Sequence, residues 1–136
     1  MMQSSMARNV NPRHERGDGL VEFALILPVL MLVIMAIVDL GRAVYAYNVV
    51  ANCAREGARY GLVAPTDDSG MVAVARSAAV GLDTAQITVT VTHPSTVSIK
   101  VEVRYNFQVV TPLVANVLSH GGSLLLSSAA TMYTGY

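Results

Sequence analysis

The run "FALILPVLMLVIMAIV" (Phe23–Val38) passes directly into "DLGRAVYAYNVVANCAREGARYGL" (Asp39–Leu62). No glycine or proline cluster separates the two halves, so one helix is expected to carry both. The first half is almost wholly Leu, Ile, Val and Met. Counted from Leu20 to Val38, about nineteen residues at 1.5 Å each extend roughly 28 Å, close to the ~30 Å hydrocarbon core of a bilayer. Pro28 lies inside this run, removes one backbone hydrogen bond and is expected to kink the helix, which membrane helices tolerate. The second half is different in kind. Small residues recur through Ala43, Ala46, Ala51, Ala54, Gly57, Ala58 and Gly61. Gly57 and Gly61 allow another backbone to come close, either a neighbouring helix or the chain's own sheet. Asp39 with Arg42, and Glu56 with Arg59, stand at i,i+3 spacing and can pair along one face. Tyr45 and Tyr47 follow the apolar run at the level of an interfacial aromatic belt.

After Val63 the pattern changes, beginning with the loop "APTDDSG" (Ala64–Gly70), in which Asp67 and Asp68 read as a helix cap. "MVAVARSAAVGL" (Met71–Leu82) then reads as a short helix. Beyond it the period becomes two. In "QITVTVTH" (Gln86–His93), Ile87, Val89 and Val91 alternate with threonines. In "VSIKVEVRYNFQV" (Val97–Val109) every odd position is apolar or aromatic and every even position is polar. Such alternation marks half-buried strands. "HPST" between them is a turn, which makes an antiparallel hairpin. Thr111-Pro112 suits the start of a helical turn, "SHGGS" a loop, and "SLLLSSAATMY" (Ser123–Tyr133) a third strand. The expected fold is α+β: a long N-terminal helix packed on a small antiparallel sheet of about three strands.

Composition narrows the function. The 136 residues carry nine basic and nine acidic side chains, so the net charge is zero and nucleic acid is not an expected partner. Charged residues are 13% and hydrophobic ones 53%, a surplus that must meet lipid or protein. The lone Cys53 permits no internal disulfide and reads as a small buried thiol. His14, His93 and His120 lack metal-ligand spacing, and no nucleophile, base and orienter can be assembled. No enzyme activity, catalytic residue, metal, cofactor or small-molecule substrate is expected.

One charge remains out of place. Glu22 lies inside the apolar run, preceded by "RGDG" and followed by Phe23. A carboxylate at bilayer depth costs a few kcal/mol and is retained for function. The layout resembles the cleavage region of type IV pilin-like precursors, in which a membrane aspartyl peptidase cuts after a glycine on the cytoplasmic side. Counted from a cut after Gly17, Asp18 is the first residue, Glu22 the fifth and Phe23 the sixth. Through "EFALILP", "DLGRA" and "AREGARYG", the segment Gly17–Gly61 further resembles the TadE-like family of pilus-assembly pseudopilins.

That resemblance implies a minor pilin-like subunit of a Tad/Flp tight-adherence pilus. It implies a cleavage site at Gly17 and Asp18, with Glu22 and Phe23 as the processing and subunit-register motif. The implied partners are membrane lipid, a prepilin peptidase, other pilin-like subunits and pilus assembly proteins. The corresponding boundaries are a cytoplasmic leader at 1–17, a transmembrane helix at 18–38, an extracytoplasmic continuation at 39–63 and a small α+β extracytoplasmic domain at 64–136. The expected location is a bacterial cytoplasmic membrane, single-pass, with the N-terminus inside. Arg8, Arg13 and Arg16 before the span, against Arg42 and Arg55 after it, favour the same orientation slightly. The alternative is an unprocessed single-span scaffold protein of the pilus or secretion machine.

Overall fold

A computed structural model describes residues 15–111 and 123–135. The helical turn expected from Pro112, the "SHGGS" loop up to Gly122 and the basic arm up to His14 lie outside the described residues. The elements are α1 (Glu15–Val63), α2 (Asp68–Ser77), a 3₁₀ turn (Thr84–Gln86) and strands β1 (Ile87–Ser95), β2 (Ser98–Gln108) and β3 (Ser123–Tyr133). The long helix packs on a three-stranded antiparallel sheet of order β1-β2-β3, an α+β arrangement. The chain divides into two compact units, Met1–Met35 and Ala36–Tyr136.

In the first unit α1 is helical from Glu15, and the helix runs unbroken through Pro28. Every residue from Leu20 to Met35 is exposed. An apolar helix with no stripe buried in its own chain is what a membrane span leaves bare in water. By length and composition this helix is a candidate membrane span.

In the second unit the remainder of α1 buries Ala46, Val50, Cys53, Ala54, Gly57, Ala58 and Gly61. Steps of three and four put these on one face, and their small size brings the helix axis close to its neighbours. The same core holds Met71 and Ala75 of α2 and Ile87, Ile99, Val101 and Val103 of the sheet. Each large apolar side chain removed from water contributes about 1.5–3 kcal/mol, which a two-stranded hairpin could not collect alone. Gly57 and Gly61 therefore serve the chain's own fold. A Cβ on Gly57 would stand 3.0 Å from Ala75 Cβ, 3.1 Å from Val101 Cγ1 and 3.2 Å from the Met71 carbonyl oxygen. Three elements converge at that one position.

Strand β2 is central, and its odd residues Ile99, Val101, Val103 and Phe107 are buried, as the period-two pattern requires. Val101 pairs with Val91 on one side and Ala130 on the other. The hairpin turn falls at Thr96–Val97, later than "HPST" suggests. Pro94 stays within β1 because this is an edge strand with a register shift between Thr92 and Ser95; a missing N–H is tolerated there. The Ser95 and Ser98 hydroxyls, 2.7 Å apart, brace the turn.

Helix α2 begins earlier than its apolar pattern. Asp67 is its N-cap, and its carboxylate accepts hydrogen bonds from Ser69 Oγ at 2.7 Å, Gly70 N–H at 2.9 Å and Tyr60 Oη at 3.0 Å. These donors, Ser69 foremost, hold the Asp67 carboxyl below the ordinary carboxylate range, and hydrogen bonding to Asp67 raises the Tyr60 phenol. The lowered acid contributes stability that is fully present above the unfolded-state value, near pH 4, and is lost as pH falls through the folded-state value. The raised phenol acts in the other direction: its share is present below the ordinary tyrosine range and lost as pH rises through the folded-state value. Asparagine caps as well as aspartate but does not titrate. Asp67→Asn is therefore expected to melt near the wild-type temperature at neutral pH, and to lose less of that temperature than wild type at pH 3. Thermal melting of the full chain in detergent at the two pH values checks this.

Candidate functional site

The residues expected to carry function fall in two places. At the start of α1, Gly17 is exposed, with no atom outside its own helical backbone and chain neighbours within 4 Å of where a Cβ would stand. It lies in the first turn of the helix, as does Asp18, whose side chain is outside the described residues. Glu22 and Phe23 follow one turn on, both exposed, in a surface otherwise built of Leu20, Val21, Leu25 and Ile26. Among the described residues no cation lies within ion-pair distance of Glu22. Gly17, Glu22 and Phe23 thus lie exposed on the first turns of α1, with the carboxylate set in an apolar surface.

The second place is the junction where the apolar run ends. Asp39, the residue after Val38, is buried. Its carboxylate accepts the Thr111 N–H at 2.7 Å and, more weakly, the Val110 N–H at 3.4 Å. Arg42 Nη1 lies 3.2 Å from Asp39 Oδ1, and the guanidinium carbon stands 5.4 Å above the centre of the Phe107 ring, within cation–π range. One carboxylate and one guanidinium thereby tie α1 to the chain leaving β2. Spacing along the helix suggested the local Asp39–Arg42 contact. The Thr111 contact, 72 residues away, left no mark in the sequence. Glu56 and Arg59, spaced like Asp39 and Arg42, form no ion pair among the described residues.

Removing the Asp39 carboxylate would strand a buried backbone N–H, at a cost of about 1–3 kcal/mol. We expect Asp39→Ala to lose stability in that range and Asp39→Asn to lose less, because the amide oxygen can still accept from Thr111. Urea unfolding of the full chain in detergent measures both.

Other polar residues have structural partners. Tyr45, placed by its position at an aromatic belt, donates its hydroxyl to the Val80 carbonyl at 3.1 Å. That hydroxyl would stand 2.9 Å from a Cβ on Gly81, whose φ of 75° suits glycine. His93 Nε2 lies 2.9 Å from Asp68 Oδ1 at the surface. Cys53 is a free, buried thiol in the core.

A long helix bearing a candidate membrane span, followed by a small three-stranded sheet domain, defines the class: an α+β protein with a candidate N-terminal membrane span. Residues 17–59 match the family model described as TadE-like protein. The segment that carries "EFALILP", "DLGRA" and most of "AREGARYG" is thus TadE-like. No curated protein and no solved structure matches the chain.

Proposed function

We propose that the chain is a pilin-like minor subunit used in assembling a Tad pilus, made as a precursor and cut after Gly17 by a prepilin peptidase. The observation that carries this reading is the placement of Gly17, Glu22 and Phe23 on the exposed first turns of α1, inside the TadE-like segment. A protease binds its substrate extended, so the first turn must unwind. That costs little here. The first four N–H groups of a helix have no intrahelical acceptor, and Gly17 and Gly19 each disfavour the helix by about 1 kcal/mol.

The cut leaves a new amine on Asp18. Glu22 then stands four residues on, roughly 6 Å along the helix axis. At bilayer depth an ammonium and a carboxylate attract far more strongly than in water, which supplies the reason for a charge in the span. The amine of a neighbouring subunit is as well suited as the chain's own, and pairing between subunits would fix their axial register.

In this reading residues 1–17 are a cytoplasmic leader and 18–38 cross the membrane. Residues 39–63 continue outside it, and 64–136 form the extracytoplasmic domain. The test is co-expression with the peptidase. The chain should shorten in its presence and keep its full mass beside a peptidase lacking its catalytic aspartates. Full mass in both cases would favour the unprocessed membrane scaffold instead.

A further inference from the structure

The end of the sheet domain beside Asp39 is apolar in a way that the fold does not use. A cavity of about 320 Å³ opens there between Ala36, Leu40 and Ala43 of α1, Phe107 and Val109 at the end of β2, and Leu124 at the start of β3. Around this end Leu40 is 65% exposed, Val110 55% and Leu125 63%. At the far end of the sheet a surface hollow is of mixed character, its apolar Pro65 and Ile99 set among Thr66, Asp68, His93, Ser95, Thr96 and Thr134.

The level of the apolar end follows from named contacts. Asp39 immediately follows Val38, where the apolar run stops, and it holds the N–H groups of Val110 and Thr111. The end of β2 is thereby fixed at the height of residue 39. From Val38 to Ala43 the helix rises about 7 Å, comparable to the ~5–8 Å interfacial layer between hydrocarbon and water on one side of a bilayer. Arg42 stands one turn beyond Val38, about 6 Å along the axis, at the height of lipid phosphates. Its side chain is 49% exposed, and a guanidinium carries more N–H donors than the single contact to Asp39 uses.

We propose that this end of the domain sits in the bilayer interface. Phospholipid acyl chains cover Leu40, Val110, Leu124 and Leu125, and Arg42 meets the lipid phosphate. The inference rests on the reading of Leu20–Val38 as the membrane span. It makes the sheet domain a membrane-seated body rather than one held clear of the surface on its helix.

The test uses the full chain in vesicles of phosphatidylethanolamine and phosphatidylglycerol. Single nitroxide labels are placed by Val110→Cys, Leu125→Cys, Ile34→Cys or Thr96→Cys in a Cys53→Ala background whose fold is verified by thermal melting. Each label is read by collision with oxygen, which enters lipid, and with a nickel chelate, which stays in water. The expected result is an oxygen-to-nickel ratio at 110 and 125 several-fold above that at 96 and approaching that at 34. A ratio at 110 and 125 equal to that at 96, with 34 in lipid, overturns the proposal and leaves the span intact. Protection of 110 and 125 from both reagents also overturns it, because another protein copy then covers the patch. Water exposure at 34 removes the span reading and the proposal together.

Discussion

Gly57→Val is expected to lower the unfolding free energy by about 3 kcal/mol, whereas Gly61→Ala stays within about 1 kcal/mol of wild type. Both replace a small residue on the buried face of α1, and the difference lies in what the new atoms meet. At Gly57 the first added carbon already presses on Ala75 Cβ, Val101 Cγ1 and the Met71 carbonyl oxygen. A carbonyl in α2 cannot retreat without moving the helix, and valine adds two further methyl groups. At Gly61 the nearest atoms are Ile99 Cδ1, Met71 Sδ and Met71 Cε, at 3.0–3.1 Å. These are the ends of flexible side chains that can shift by a few tenths of an ångström, and alanine regains about 1 kcal/mol of helix propensity. Urea unfolding of the full chain in detergent separates the two. Equal losses at both sites would mean that α2 does not lock against α1 at Gly57.

Gly17→Val is expected to leave the whole population at precursor mass in cells that process the wild-type chain. Valine raises the cost of the extended, tightly enclosed backbone that a protease cleft imposes next to the cut, and its branched side chain needs space that glycine does not. The position touches nothing else in the described structure, so folding and membrane insertion should be unchanged. Complete processing of Gly17→Val would place the cut elsewhere or exclude it from this motif. Gly19→Val serves as the control. A cut after Gly19 would make Glu22 the third residue rather than the fifth, so this change is expected to slow processing at most.

Much of the fold is legible because it rests on periodicity. The odd positions of β2 are apolar and lie against the core, and "SLLLSSAATMY" is β3 from end to end. The buried stripe of α1 is readable from its alanines and glycines, and Gly57 and Gly61 meet the chain's own sheet at Val101 and Ile99, the more ordinary use of such small residues. What the sequence hid depends on distant partners or on polar detail. The start of α2 is set by Asp67 drawing in Ser69, Gly70 and Tyr60, before the apolar pattern begins at Met71. The hairpin turn moved because an edge strand can hold Pro94. Asp39 reads as half of a local ion pair, but its stronger bond is to the Thr111 backbone across 72 residues. Arg42 over Phe107 is equally non-local. The N-terminal motif is the reverse case. Among the described residues Gly17, Glu22 and Phe23 are exposed and have no tertiary partner that would mark them, and their reading comes from spacing and from the TadE-like segment.

We expect the apolar helix of the working protein to begin at Asp18. N-terminal sequencing of the chain recovered from membranes of cells with an active prepilin peptidase tests it most directly. The predicted result is a single N-terminus at Asp18, with Glu22 in the fifth cycle and Phe23 in the sixth. An N-terminus at Met1 or Met2 in those cells would contradict it, and Glu22 would then need a partner other than an amine released by cleavage.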